Sequence, residues 1–338
     1  MSKSTLNCAV LGLGKMGFRH ADLLANRVPG ARLVAVQDPI EPHLRNVSAQ
    51  LGAKGYLDYQ EVLNDPAVDA VFIITPSTTH AEICMAAAKA GKAIFCEKPL
   101  ALSVAECEAI DHVVKQTGTP LQLGFMRRFD PGYAAAKRAI AEGAIGEVVA
   151  YNGISRDPQA PPREYVAQSG GIYLDCLIHE FDIARFLMGD EVKRLHATGK
   201  VLMNDWMHAL NDVDHAHVVL EFEKGGLGHI EGSRNAIYGY DIRAEVMGTK
   251  GTIAIGQERH TPITIQTKSG VVRDYMPGYL ERFSEAYHIE LIEFVQTVLA
   301  GKTPSVGAWD GRQALLLALA AKRSQELGAP VEVESVAR

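Results

Sequence analysis

Several things are scarce or missing in this chain of 338 residues, and each shortage excludes a class of protein. No apolar run approaches the ~20 residues that a membrane-spanning helix needs, so no membrane partner is expected. Met1–Gly14 carries no signal-peptide cleavage pattern, and its apolar run is interrupted by Gly12 and Gly14. No Lys/Arg run exceeds two residues, and 34 basic against 40 acidic side chains leave a formal charge of −6. A broad nucleic-acid surface is therefore not expected. Cysteine is sparse and unpaired in pattern: Cys8, Cys84, Cys96, Cys107 and Cys176 form no CxxC, and five is an odd number. This speaks against a disulfide framework and for buried, reduced thiols in a cytoplasmic protein. Internal repeats and low-complexity tracts are absent. What remains is 47% hydrophobic and 22% charged residues, the proportions of a folded globular chain. The length suggests two domains, at roughly 150 residues each.

The first third alternates short apolar runs with helical periodicity. Asn7–Leu11, Leu33–Gln37, Ala70–Ile74, Ala93–Cys96 and Leu121–Gly124 read as strands. Helical patterns at Lys15–Arg27, His43–Leu51, His80–Ala90 and Ser103–Thr117 separate them. Continuously apolar strands between helices predict a parallel sheet covered on both faces, since such strands have no polar face to show to water. Thr79 with Glu82, and Ser103 with Glu106, have capping-box spacing.

After about residue 122 the texture changes. A helix at Gly132–Glu142 precedes a strand near Val148–Ile154, a loop rich in Pro and polar residues over Ser155–Ser169, and one long helix over Gly171–Met188. Strand-like runs then follow one another without helices: Lys193–Lys200, Asp214–Phe222, Gly228–Arg234, Asp241–Val246, Thr252–Ile255 and Pro262–Thr267. Turns such as Lys224-Gly225-Gly226 and Gly248–Gly251 join them, which predicts antiparallel pairing. Helices at Ser284–Ala300 and Gly311–Leu327 close the chain, and the nearly all-apolar stretch Ala314–Ala321 is expected to be buried.

Gly12-Leu13-Gly14-Lys15-Met16-Gly17 is a G-x-G-x-x-G that ends the first strand and opens the first helix. In that context Gly12 makes the tight turn, Gly14 lets backbone approach a pyrophosphate, and Gly17 lets helix pack on strand. Asp38 ends the second strand 21 residues beyond Gly17, where a carboxylate accepts hydrogen bonds from the adenosine ribose hydroxyls. The acid repels a 2′-phosphate and Pro39 offers no base for one, so NAD is the expected cofactor. The expected fold class is thus an α/β Rossmann dinucleotide-binding domain over 1–122. An α+β domain over 123–338, with a large, mainly antiparallel open sheet, follows it for substrate binding and oligomerisation.

Three further segments carry chemistry. Glu97-Lys98-Pro99-Leu100 follows a parallel strand at its carboxyl end, where open α/β sheets bind ligands. A Lys before Pro is held extended, so its ammonium can be aimed. Asp175 and His179 are four residues apart on the predicted 171–188 helix and would share a face. Met126-Arg127-Arg128-Phe129-Asp130-Pro131 stands at the junction of the two regions. Read together with GLGKMG at 12–17, ITPSTTH at 74–80, EKPL at 97–100 and GGIYLDCLIHEFD at 170–182, the chain resembles the Gfo/Idh/MocA oxidoreductases along nearly its whole length. GFMRRFDPGY at 124–133 and YGYD at 238–241 are similar to the inositol dehydrogenase branch.

The resemblance implies an NAD-dependent dehydrogenase that oxidises a secondary hydroxyl of a cyclic polyol, myo- or scyllo-inositol foremost. It implies a catalytic set of Lys98, Asp175 and His179. Imidazole, with an unperturbed pKa of ~6.5, suits the base that takes the hydroxyl proton. Asp175 would orient it, and Lys98 would stabilise developing alkoxide charge. Cofactor contacts are expected from Gly12, Gly14, Lys15, Met16, Gly17, Asp38, Thr75, Pro76, His80, Glu97, Lys98 and Met126. Substrate contacts are expected from Lys98, Arg127, Asp157, Asp175, His179 and Tyr240. Where enzymes for the myo isomer carry His-Arg-Asn, this chain reads Ser155-Arg156-Asp157. A scyllo-type inositol, a pyranose sugar or an anhydrosugar therefore stays open, as do C–O bond chemistry with recycled NAD and a non-catalytic NAD-binding regulator. Asp212, Asp214, His215 and His217, with His208 nearby, look like metal ligands, but one face of a strand is the simpler reading and no metal is expected. A homodimer or homotetramer through the antiparallel sheet is expected.

Overall fold

The structure is a computed structural model and describes residues 3–256 and 258–337. It divides into two compact units, Met1–Met126 with Tyr287–Gln313, and Arg127–Ala286 with Ala314–Arg338. The sequence expectation put the boundary at 122/123 with 123–338 as one domain; by contacts, Tyr287–Gln313 group with the first unit. The reason is aromatic packing over long sequence separation. Phe294 meets Phe72 and Phe95 edge-on at centroid distances of 5.3 and 5.8 Å, contacts worth about 0.5–1.5 kcal/mol each beyond simple burial.

The first unit is built on six strands, β1 (Leu6–Leu11), β2 (Ala31–Gln37), β3 (Lys54–Tyr56), β4 (Ala70–Ile73), β5 (Ala93–Glu97) and β6 (Leu121–Gly124). All pair in parallel, in the order β3-β2-β1-β4-β5-β6. The order reverses beside β1, which opens a ligand-binding switch point at the carboxyl ends of β1 and β4. Helices α1 (Lys15–Asn26), α2 (Glu41–Leu51), α3 (Tyr59–Asn64), α4 (His80–Lys89) and α5 (Val104–Thr117) connect the strands. β3 and α3 went unread, being too short to show periodicity. Ser103 and Glu106 form the expected capping box on α5. Thr79 does not cap α4: its hydroxyl donates to Thr75 Oγ1 and the Pro76 carbonyl instead, each at 2.8 Å.

In the second unit α6 (Pro131–Ala141), β7 (Val148–Arg156), α7 (Arg163–Ser169), α8 (Ile172–Asp175) and α9 (Ile178–Met188) come first. The strands β8 (Val192–Lys200), β9 (His215–Phe222), β10 (Leu227–Ser233), β11 (Asp241–Gly248) and β12 (Gly251–Gly256) follow, then the hairpin β13 (Ile265–Thr267) and β14 (Gly270–Val272). Helix α10 (Tyr279–Arg282) follows; α11 (Ser284–Leu299) then runs mostly within the first unit, and α12 (Ala308–Leu327) returns to the second before β15 (Val331–Glu332). The seven-stranded sheet runs β12-β11-β7-β10-β9-β8-β15. It is mixed: β7 and β10 are parallel while the other pairs are antiparallel. Two expectations are corrected. Residues 163–169 form a helix inside the segment read as loop, and the long 171–188 helix is broken. Both the Cys176 and Leu177 N–H groups donate to the Ile172 carbonyl, at 3.0 and 2.9 Å, so a wide turn separates α8 from α9.

α9 lies close against the sheet because two strand residues have no side chain. A Cβ on Gly153 would stand 2.7 Å from Glu180 Oε2, and one on Gly232 2.7 Å from Leu177 Cδ2. The expected burial of Ala314–Ala321 is observed in α12, where seven of these eight residues are at most 2% exposed.

Candidate active site

The glycine turn is shaped by what cannot fit there. Gly12 has φ +83°, and a Cβ on it would lie 2.7 Å from the Ile74 carbonyl oxygen. A Cβ on Gly17 would overlap the Gly12 carbonyl oxygen at 1.8 Å. Nothing lies within 4 Å of the Cβ position of Gly14, the N-cap of α1. α1 has no side-chain cap and no acidic residue in its first turn. Its leading N–H groups and positive dipole end are thus kept for an anion. This bare, close-packed turn fits a dinucleotide pyrophosphate. Lys15 is exposed and Met16 half-buried at its rim.

Asp38 does more than its spacing suggested. Its Oδ2 accepts the Leu13 N–H and its Oδ1 the Ile40 N–H, each at 2.9 Å. The carboxylate therefore ties the glycine turn to the end of β2 while keeping lone pairs for ribose hydroxyls. His43, not anticipated from sequence, brings Nδ1 to 3.6 Å from Asp38 Oδ2.

The loop after β4 and the segment after β5 are braced together by His80. Its Nδ1 lies 2.7 Å from the Pro99 carbonyl oxygen and its Nε2 2.9 Å from that of Thr75. Burial pushes the imidazole below its ordinary range, opposed by the two carbonyls that favour the charged form. His80 is 1% exposed, so it holds the cofactor loop in shape, while Thr75 is half-buried and Pro76 exposed. Met126 is likewise buried. The Lys98–Pro99 peptide is cis. Glu97 and Lys98 are the half-buried pair in an otherwise buried run, which leaves their side chains reachable. Glu97 Oε1 pairs with His20 Nε2 at 2.9 Å, and its Oε2 accepts the Lys98 N–H at 3.2 Å.

In the second unit Asp175 and His179 stand on either side of the broken turn, both half-buried among buried neighbours. Their shared face therefore cannot be argued from one continuous helix. Asp175 is held by two residues that sequence reasoning missed: the Tyr165 hydroxyl donates to Oδ1 at 2.8 Å, and Arg234 donates to Oδ2 at 3.2 Å. Burial, then the charge of Asp175, pushes the Tyr165 phenol upward, so it stays a donor. Arg234 is wholly buried. Arg127 is 2% exposed and ion-paired with Glu180, whose Oε2 accepts the Tyr151 hydroxyl at 2.9 Å. Tyr240 is buried too, whereas Asp157 is half-buried. Ser155 is buried, its Oγ 3.7 Å from Cys176 Sγ. Burial raises the Cys176 thiol to about 12, which disfavours the thiolate.

The suspected metal residues separate. Asp212 accepts the Ile172 N–H, and buried Asp214 accepts three N–H groups from Leu202, Met203 and Asn204. The imidazoles form a line instead. His215 Nε2 lies 3.2 Å from His217 Nε2, His217 Nδ1 3.0 Å from His229 Nε2, and His229 Nδ1 3.1 Å from Asn152 Oδ1. Three neutral imidazoles satisfy all three contacts if each donates toward Asn152.

The family comparisons agree with this geometry. Residues 6–125 match the model described as oxidoreductase family, NAD-binding Rossmann fold, and 137–333 match the oxidoreductase family C-terminal alpha/beta domain. The chain is 47% identical to scyllo-inositol 2-dehydrogenase (NAD(+)) of Bacillus subtilis, over 97% of this chain and 96% of that one. It is 41% identical to myo-inositol 2-dehydrogenase of Thermotoga maritima, over 98% and 99%. Scyllo-inositol dehydrogenase of Lactobacillus casei, solved with NAD(H) and scyllo-inositol bound, superposes with a TM-score of 0.93 at 30% identity, covering 97% of this chain and 99% of that one. With both of its units matched and relatives alike over almost its entire length, the chain belongs to the Gfo/Idh/MocA family of oxidoreductases.

Proposed function

We propose that this protein is an NAD-dependent inositol dehydrogenase that oxidises one secondary hydroxyl to the ketone. The observation that carries the reading is the set Lys98, Asp175 and His179: three polar groups left reachable in otherwise buried segments of a chain whose relatives are named for this reaction. When bound, NAD supplies the hydride acceptor. Gly12, Gly14, Lys15, Met16 and Gly17 hold its pyrophosphate and Asp38 its ribose, while Thr75, Pro76 and Glu97 hold its nicotinamide half, shaped by His80 and Met126. His179 takes the hydroxyl proton. Lys98 donates to the same oxygen as charge develops there. Asp175, itself anchored by Tyr165 and Arg234, favours the protonated imidazole. Asp157 contacts the ring hydroxyls. Arg127 and Tyr240, both buried, act as its support and wall.

The test is NADH formation over a panel of myo-inositol, scyllo-inositol, hexoses and anhydrosugars. Turnover of an inositol above every sugar supports the reading; turnover of sugars alone, or of nothing while NAD binds, overturns it. His179→Ala and Lys98→Ala are each expected to lower kcat by about 10²–10⁴ with NAD binding retained.

We also propose a homodimer or homotetramer through the open face of the mixed sheet. Val219, Leu227 and Met247 project from its strands with 47–57% exposure. Light scattering decides it, and a monomer at micromolar concentration contradicts it. Five buried unpaired thiols support a reducing, cytoplasmic setting.

A further inference from the structure

The first unit contains a titratable cluster in which two of the three members have no role in the reaction above. His20 of α1, Glu97 at the end of β5 and Glu290 of α11 bring their ligand atoms within 4.8 Å of one another. His20 and Glu290 are wholly buried, and the Glu97 side chain is 13% exposed. His20 Nε2 lies 2.9 Å from Glu97 Oε1, within hydrogen-bond distance. The remaining atoms stand differently: among the described residues, His20 Nδ1 and both carboxylate oxygens of Glu290 have no hydrogen-bond partner.

Among the described residues, no basic side chain is hydrogen-bonded to the Glu290 carboxylate. The His20 ring is flanked by Phe95 and Tyr287, at centroid distances of 5.6 and 5.9 Å. Gln122 fixes the Glu290 backbone carbonyl at 3.0 Å, not its carboxylate. Gly124 leaves room for Glu97, since a Cβ there would sit 3.3 Å from its carboxylate. The charged and titratable groups nearby are Lys98, which follows Glu97; His80, which feels both; Cys96, which precedes Glu97; and Arg19, over the Tyr287 ring at 5.5 Å. A carboxylate left ionised and alone in such a place is costly, so it takes up a proton. Burial first, then the Glu97 charge, push the Glu290 carboxyl well above its ordinary range.

We propose that His20 and Glu290 are positioning residues for Glu97: the imidazole holds its carboxylate at 2.9 Å and the buried Glu290 carboxyl lies within 4.8 Å, so that the charge of the cluster sets the preference for the oxidised, cationic nicotinamide over the reduced, neutral one. The inference rests on the reading above that Glu97 serves the nicotinamide half. An anionic unit favours the cationic ring, and each proton the unit gains removes part of that advantage.

The experiment measures dissociation constants of NADH, by fluorescence, and of NAD, by competition, from about pH 6 to pH 9, on wild type and Glu290→Gln. Thermal melting runs alongside. The amide keeps the shape of the carboxyl and cannot titrate. In wild type the ratio Kd(NADH)/Kd(NAD) is expected to rise about threefold or more with pH, the scale of one charge change several ångströms away. In Glu290→Gln that rise is lost. Should Glu290→Gln fail to fold, Glu290→Met serves the same comparison, because an apolar side chain of similar length suits the buried position and cannot titrate either. Equal pH dependence in wild type and a folded variant overturns the proposal. So does a stoichiometric divalent cation, found by elemental analysis and removed by chelator together with the pH dependence, since the same three donors would then be ligands. Failure of NAD to bind in any form counts against the cofactor reading itself. Normal inositol oxidation with a pH-independent ratio counts against this inference alone.

Discussion

The two units hold their functional groups by different means. In the first, backbone does the holding: the glycine turn is shaped by carbonyl contacts, Asp38 accepts two main-chain N–H groups, and His80 is set by two carbonyl oxygens. In the second, side chains hold side chains: Tyr165 and Arg234 fix Asp175, while Tyr151 and Arg127 fix Glu180. Backbone-held groups tolerate most side-chain changes nearby but fail where a Cβ is added. Groups held by buried side chains fail when any one partner is removed, because the other is left unpaired in a medium that cannot solvate it.

The largest expected effect is therefore in the second unit. Glu180→Ala leaves the buried Arg127 guanidinium uncompensated and should cost about 3–5 kcal/mol of stability, read as a denaturant midpoint shift. A loss below about 1 kcal/mol would break the contrast. Next comes Gly17→Ala in the first unit, where the added methyl must displace the Gly12 carbonyl. A cost of about 1–3 kcal/mol, with NAD affinity falling more steeply than stability, is expected from calorimetry. Tyr165→Phe removes one hydrogen bond to an ionised acceptor and should lower kcat by about tenfold with KM for NAD unchanged. An equal loss in NAD binding would contradict its assignment to Asp175. The smallest effect concerns pH. Burial lowers His215 and His229 from the ordinary value of 6.5. Their contribution to stability is present above 6.5 and is lost as pH falls through the folded values. Melting temperature should decline below that pH in wild type, and less so in His229→Gln.

The same contrast explains what was legible in the sequence. The glycine turn, Asp38 and the Ser103–Glu106 box are local devices, so their spacing alone reveals them. Lys98, Asp175 and His179 stood out by position and took their expected roles from resemblance, but what holds Asp175 was not legible, because Arg234 lies 59 residues away and its contact depends on tertiary folding. The break at Cys176–Leu177 was hidden because apolar periodicity continues across it. The parallel pairing of β7 with β10 and the return of 287–313 to the first unit rest on long-range contacts that no local pattern encodes. Asp38 shows the opposite case: it stands directly after β2 as its spacing suggested, yet its hold on the glycine turn through Leu13 became visible only in the fold.

The central claim is hydride transfer from an inositol carbon to NAD with the proton taken by His179. It is tested most directly by supplying scyllo- and myo-inositol deuterated at every ring carbon and weighing the NADH produced. The account predicts one deuteron per NADH formed, with formation slowed by about 10²–10⁴ in His179→Ala while bound NAD is retained. NADH without deuterium, or full-rate formation in His179→Ala, would contradict it.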